Sequence, residues 1–406
     1  MGCAEDGTPQ IVLQNQTLGE SREGRLDMLK CSIIVLILLC SATFAGSEIH
    51  WFKSIPATNE SIESVRCIPE KKSILISYGN QKTAEWDYEK LKLKKEISGV
   101  VKAISPDGKS AIFVESDRAV IRTFPNLAET WHIKGTNFNQ VLFSAKGQFL
   151  AVQQLGMLTI WLTSTHNKFL ELQPSGRPPA DFDFSSNEQF LAISQYDQYA
   201  IAVLDLKSQK PHETLNAEKD TYASGPLINP RVAFHKSRPI LAYSDATEAH
   251  VRSIFNPTKV CHLNKHNNFI THLQFLKASD EILTSGGRID PRIIIWQHDT
   301  CKVKAIFDQH QDAVSAIDYV NETGIISGDE SGQLYAWDSR FPDKAIKLTG
   351  HKGIIMDLTV CAPDNLVALS DEKGRVNIWR LPTSFGASTV ATYAQQYLPA
   401  ALAAVP

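Results

Sequence analysis

Cysteine is scarce in this chain, with 7 in 406 residues, and no two of them form a CxxC pair or join a histidine in a cluster. That scatter excludes a dense disulfide framework and a cysteine zinc site. There is no HExxH, no phosphate-binding glycine loop, no GxSxG elbow and no pair of acids set apart from turns. Without those signatures neither a metal nor another cofactor is expected, and the chain reads as non-catalytic. Charge of one sign is also missing: 41 Lys and Arg against 44 Asp and Glu leave a net charge of −3. Such a balance gives no electrostatic reason to expect nucleic acid. The one dense basic run, Lys90 to Lys95, is followed by Glu96 and reads as a solvated edge strand or turn, where lysines discourage pairing with other chains. No long window between residues 62 and 381 has a helical period.

What is there is repetition. From His310 to Pro382 one pattern is written twice: a His, an apolar run, a turn, a second apolar run, an acidic turn, and a third run closing on Trp337 or Trp379. Asp329 and Asp371 each stand eight residues before their Trp, and the two His residues, His310 and His351, are 41 apart. A period near 41 is that of one four-stranded propeller blade. Weaker copies precede these, and the strand ends Trp86, Phe124, Trp161, Leu204, Ile254, Trp296, Trp337 and Trp379 are spaced 38, 37, 43, 50, 42, 41 and 42 residues. Short runs of alternating apolar and polar residues between Gly, Pro, Asn and Asp turns mark an all-β array. The expected fold is therefore a single closed β-propeller of eight four-stranded blades, with seven as the alternative. Cys67 and Cys361 hold equivalent places in the first and last repeats, so ring closure makes them neighbours; two free buried thiols are the favoured reading and a bridge the alternative.

The pattern resembles the WD-repeat family across residues 62 to 381, on Gly350-His351, Trp337-Asp338, Trp86-Asp87 and the turn Ser105-Pro106-Asp107-Gly108. The resemblance implies a structural tetrad in which His, a hydroxyl residue, Asp and Trp hydrogen-bond within a blade. His310, Ser327, Asp329 and Trp337 match its four places. His351, Ser370, Asp371 and Trp379 match with the serine displaced by one, and the sixth repeat opens on His266 but has Arg288 eight residues before Trp296. A catalytic reading of Ser327, His310 and Asp329 is set aside, because the set recurs and a buried polar chain explains it. The resemblance also implies that an N-terminal strand, here residues 48 to 55, completes the last blade.

Outside the repeats, residues 1 to 27 are expected to be a disordered extension, with translation from Met28 as an alternative. Residues 28 to 45 have the basic start, apolar stretch and small residues of a signal peptide, cleaved after Ala45. The uncharged run of 17 residues from Cys31 to Ser47 is at the lower limit for a membrane span, so an uncleaved anchor is the alternative. Acylation at Gly2 or Cys40 is disfavoured by Asp6 and Leu39. Residues 46 to 381 are assigned to the propeller and 382 to 406 to an uncharged tail expected to pack beneath it. The connection from Lys207 to Asn229 is the longest between repeats.

A propeller's product is loop surface, and the expected function is a protein-interaction scaffold binding a protein or peptide. An exported propeller enzyme and an envelope or secretory-pathway assembly factor are the alternatives. The binding face is expected to carry Asn267, Asn268, Arg288, Asp290, Arg292, Gln311, Asp312, Glu330, Lys352 and Lys373. The protein is expected to be exported, periplasmic or secreted, if the signal is cleaved, and otherwise cytoplasmic or membrane-tethered. Asn59 and Asn321 open triplets of the glycosylation pattern.

Overall fold

A computed structural model describes residues 50–385, apart from 57–59, 69–70, 174–178, 196–199, 217–229, 246, 277–279, 322, 350, 352, 362–363 and 383–384. The proposed N-terminal extension, the signal segment and nearly all of the tail thus lie outside the described residues. Among those described, no helix is long and apolar enough to cross a membrane.

The strands form eight antiparallel sheets of four, and the alternation of residue types is what drives this. In the second and third strands of each blade both faces pack on neighbouring sheets, so β27 (Gly324–Asp329) is buried at every position. The outermost strands face water on one side and carry the charge. The lysine-rich run forms such an edge, in β5 (Lys92–Ser98). Blade 1 comprises β2 (Ile62–Ile68), β3 (Ser73–Tyr78), β4 (Lys82–Asp87) and β5, and the order repeats through blade 7. All eight strand-end residues fall within one position of the last residue of a third strand, with Phe124 and Ile254 just beyond it and the other six just before it. Part of the long connection after blade 4 is itself a strand, β17 (Lys210–Asn216), hydrogen-bonded as the edge of that blade.

Ring closure comes from β1 (His50–Ile55). It pairs antiparallel with β32 (Val376–Arg380), in the register Lys53 to Ile378 and Ile55 to Val376, and supplies the eighth blade's fourth strand beside β30 (Ile355–Cys361) and β31 (Leu366–Asp371). Ile55 is buried with Ile76 of blade 1 and Ile378 of blade 8. The seam is also covalent: Cys67 and Cys361, with Cα atoms 5.5 Å apart, form a disulfide. This corrects the free-thiol expectation, because cysteines at matching places on adjacent blades face each other once the ring closes. A second disulfide, Cys261 to Cys301, joins blades 5 and 6.

The innermost strands are stapled by aspartates. Asp183 accepts from its own neighbour Phe184 N–H (2.9 Å) and from Phe234 N–H of the next blade (2.7 Å). Asp318 does the same with Tyr319 and Val360, and Asp357 with Leu358 and Val65. One carboxylate thereby satisfies the inward-facing N–H of two strands that are too splayed to pair with each other. Below blade 7, Asn321 donates to Phe385 O (2.7 Å) and accepts from Gly324 N–H. Both ends of that amide are occupied, and the first turn of the tail is held against the ring.

Candidate functional site

The loops that precede each blade's first strand and the turns between second and third strands meet on one face, and the tetrads hold them there. In blade 7, β26 (Val314–Tyr319) follows the loop bearing His310, and β28 (Leu334–Asp338) carries Trp337. His310 Nδ1 lies 2.9 Å from Asp329 Oδ2, its Nε2 2.7 Å from Ser327 Oγ, and Trp337 Nε1 donates to the same hydroxyl at 3.1 Å. All four are buried. Burial would raise the Asp329 carboxyl, but hydrogen bonds from His310 and Ser331 outweigh it and hold the group below its ordinary range. Ser327 is enclosed and already holds two partners, so no substrate reaches its hydroxyl.

The eighth blade has the same residue types but no tetrad. Trp379 pairs with Val367, so the hydroxyl place two residues on is Leu369, and Ser370 turns to Asp357 O instead. Trp379 Nε1 donates to Thr349 O (3.1 Å), and His351 bonds Gly353 O with Asp371 4.0 Å away. A displacement of one in a strand sends a side chain to the opposite face.

A complete second tetrad stands in blade 6, on β22 (Ile270–Phe275), β23 (Glu281–Gly286) and β24 (Ile293–Gln297). His266 Nδ1 is 3.0 Å from Asp290 Oδ2, and its Nε2 and Trp296 Nε1 both lie 2.8 Å from Thr284 Oγ1. Asp290 is 4% exposed, and although burial opposes ionisation, Arg292, Asn267 N–H and His266 lower its carboxyl to about 2. Asp290 is therefore the acid of this tetrad, and Arg292 is ion-paired to it. The turn here is two residues longer than in blade 7, and it folds back tightly: a Cβ on Gly286 would sit 2.2 Å from Asp290 O. The sequence signal was available as Thr284 followed by an enlarged turn.

Of the remaining candidates, the structure unites three. Arg288 of blade 6 reaches across to Asp312 (2.8 Å) and Glu330 (2.6 Å) of blade 7. Beside it Ile289 is 81% exposed, an apolar residue that charge patterning did not single out. Asn268 caps Phe269 N–H (2.7 Å), Gln311 N–H donates to Asp329, and Lys373 N–H to Asp371. These three serve their own turns, and Lys352 lies outside the described residues. Ile354 and Met356, at the start of blade 8, add exposed apolar surface.

Innermost strands of blades 3 to 7 line an open cavity of about 320 Å³ that includes Gln140, Asp181, Asp183, Gln274 and Asp318. Burial raises the Asp183 carboxyl to about 6 and raises Asp181 and Asp357 as well.

No protein-family model matches the chain. WD repeat-containing protein 55 of Arabidopsis thaliana is 25% identical over 120 residues, 29% of this chain and 33% of that protein, so the likeness spans about a third of the relative's length. Two solved structures share the fold: the computationally designed Ika8 protein (TM-score 0.67, 15% identity, 83% of this chain and 100% of that one) and the C-terminal WD40 domain of Sif2 (TM-score 0.66, 12% identity, 83% and 99%). The chain thus folds as a β-propeller of eight four-stranded blades, and its repeat period, its two tetrads and these likenesses make it similar to WD-repeat proteins.

Proposed function

We propose that this propeller is a non-catalytic scaffold that docks a protein or peptide on the rim of blades 6 and 7, and that it works in an oxidising, exported setting. The observation that carries the docking reading is the pairing of a protruding Ile289 with the Arg288, Asp312 and Glu330 ion network around it. An exposed apolar anchor ringed by charges held in place is the anatomy of a protein interface. Enclosure of the Ser327, His310 and Asp329 set argues against hydrolysis there. Export is supported by the signal-like segment at 28 to 45 and by two disulfides, which persist in oxidising compartments.

Affinity purification from the native host tests this with wild type and Ile289→Asp in parallel. A partner retained by wild type and lost by a variant of unchanged thermal stability is the expected result. Retention of every partner by Ile289→Asp and by Arg288→Glu would move the docking site elsewhere.

A further inference from the structure

Blade 5 carries a cluster of histidines and acids that neither the tetrads nor the docking rim uses. Its third strand β20 (Ala249–Ser253) pairs with the edge strand β21 (Asn256–Leu263), and His250 stands directly opposite His262. In blade 7 the corresponding pair is Tyr335 and Lys347, so the two histidines are not a demand of the fold. Their Nδ1 atoms face each other at 3.2 Å. His250 Nε2 is 2.7 Å from Asp245 Oδ2, which keeps the ring proton on Nε2 and leaves the Nδ1 lone pair pointing at His262. A Glu248 carboxylate oxygen completes the group, with all three ligand atoms within 4.8 Å of one another. Tyr243 stacks on the His250 ring at 5.1 Å and walls one side.

We propose that His250, His262 and Glu248 bind a divalent transition metal of the zinc class, with Asp245 orienting His250 from behind. Two nitrogens on a tetrahedral zinc, each at about 2.0–2.1 Å, are about 3.3 Å apart, which is the separation the cross-strand pair already has. A histidine whose other nitrogen is held by a carboxylate is the usual metal-ligand arrangement. A hydrogen bond between the two rings would satisfy both nitrogens, yet it would leave Glu248 and Asp245 as two carboxylates beside a neutral pair. A dication engages the whole group. Glu248 is half-buried and His262 exposed, so the ion enters from solvent, and three protein ligands leave one coordination position open.

The test uses untagged full-length protein stripped with chelator and titrated with Zn²⁺ alone by calorimetry, with Co²⁺ absorption as a report on geometry. One equivalent of Zn²⁺ with an affinity in the micromolar range or better, and tetrahedral Co²⁺ bands, are expected. His262→Ala, on an exposed strand edge, is expected to weaken binding at least 100-fold while the protein stays folded. Asp245→Asn is expected to weaken it about 10- to 100-fold. His298→Ala, in the next blade, serves as the control and should bind as wild type does. Absence of saturable Zn²⁺ binding to the folded wild type, or equal binding by wild type and His262→Ala, would overturn the proposal.

Discussion

Asp357, on the innermost strand of the last blade, accepts a hydrogen bond from the backbone N–H of Val65, on the innermost strand of the first, at 2.9 Å. Arg66 forms an ion pair with the same oxygen, so one carboxylate holds the seam from the channel side while β1 holds it from the rim. Burial raises the Asp357 carboxyl, and the charge of Arg66 offsets part of that shift. Asp357→Ala removes the acceptor of two backbone N–H groups, Val65 and Leu358, and the ion-pair partner of Arg66. A loss of about 2–4 kcal/mol is expected, read as a lowered urea midpoint. A midpoint within error of wild type would mean that the seam does not depend on this carboxylate.

The disulfides close loops of very different size, 294 residues for Cys67 to Cys361 and 40 for Cys261 to Cys301. If loop entropy in the unfolded chain dominates, the seam bridge stabilises by up to roughly 6 kcal/mol and the other by about 4. The paired variant Cys67→Ser with Cys361→Ser is expected to lower the melting temperature at least as far as Cys261→Ser with Cys301→Ser. The reverse order would assign the larger role to strain or local packing.

The blade period was legible because a large residue ends each third strand and the neighbouring sheets leave no room for drift. Trp296, Trp337 and Trp379 are almost wholly buried for that reason. The tetrad of blade 6 was hidden because residue counting assumes turns of constant length, and there Asp290 returns to its place through a longer one. Aspartate staples such as Asp183 to Phe234 have no sequence signature at all: the partner is a backbone N–H 51 residues away. His250 and His262 are twelve residues apart and become neighbours only through strand register. Ile289 escaped because a lone exposed Ile in a turn carries no periodicity.

The two copies that look most alike are expected to respond differently to the same mutation. Ser327→Ala removes a hydroxyl that serves both His310 and Trp337 in a buried site, so two polar groups lose a partner at a cost of about 2–4 kcal/mol. Ser370→Ala removes only a 3.4 Å contact to Asp357 O and should cost under about 1 kcal/mol. Thr284→Val in blade 6 should behave like Ser327→Ala, because Thr284 Oγ1 serves His266 and Trp296 alike. Chemical denaturation of the three variants checks the order, and equal losses at Ser327 and Ser370 would contradict the geometry.

Stability against pH is set by buried groups that oppose each other. Burial lowers His272 to about 4 from its ordinary value, and lowers His235, His266 and His351 in the same direction. Between about pH 6.5 and 4 the unfolded chain takes up a proton on His272 that the folded chain refuses, and the other three rings act in the same direction, so acidification through that window destabilises the fold. Asp183, raised to about 6, acts the other way. Between about pH 4 and 6 the folded state keeps a proton that the unfolded state has released, so its contribution to stability is largest at the acid end and is lost as pH rises. With four lowered histidines against three raised aspartates, Asp181, Asp183 and Asp357, wild type is expected to lose stability from pH 6.5 to 4.5. His272→Gln should flatten that fall and Asp183→Asn should steepen it, each by on the order of 1–3 kcal/mol across the window. Urea midpoints at pH 4.5, 5.5 and 6.5 isolate the slope from the constant offset each substitution adds, and parallel slopes for all three proteins would show that neither group titrates as its burial requires.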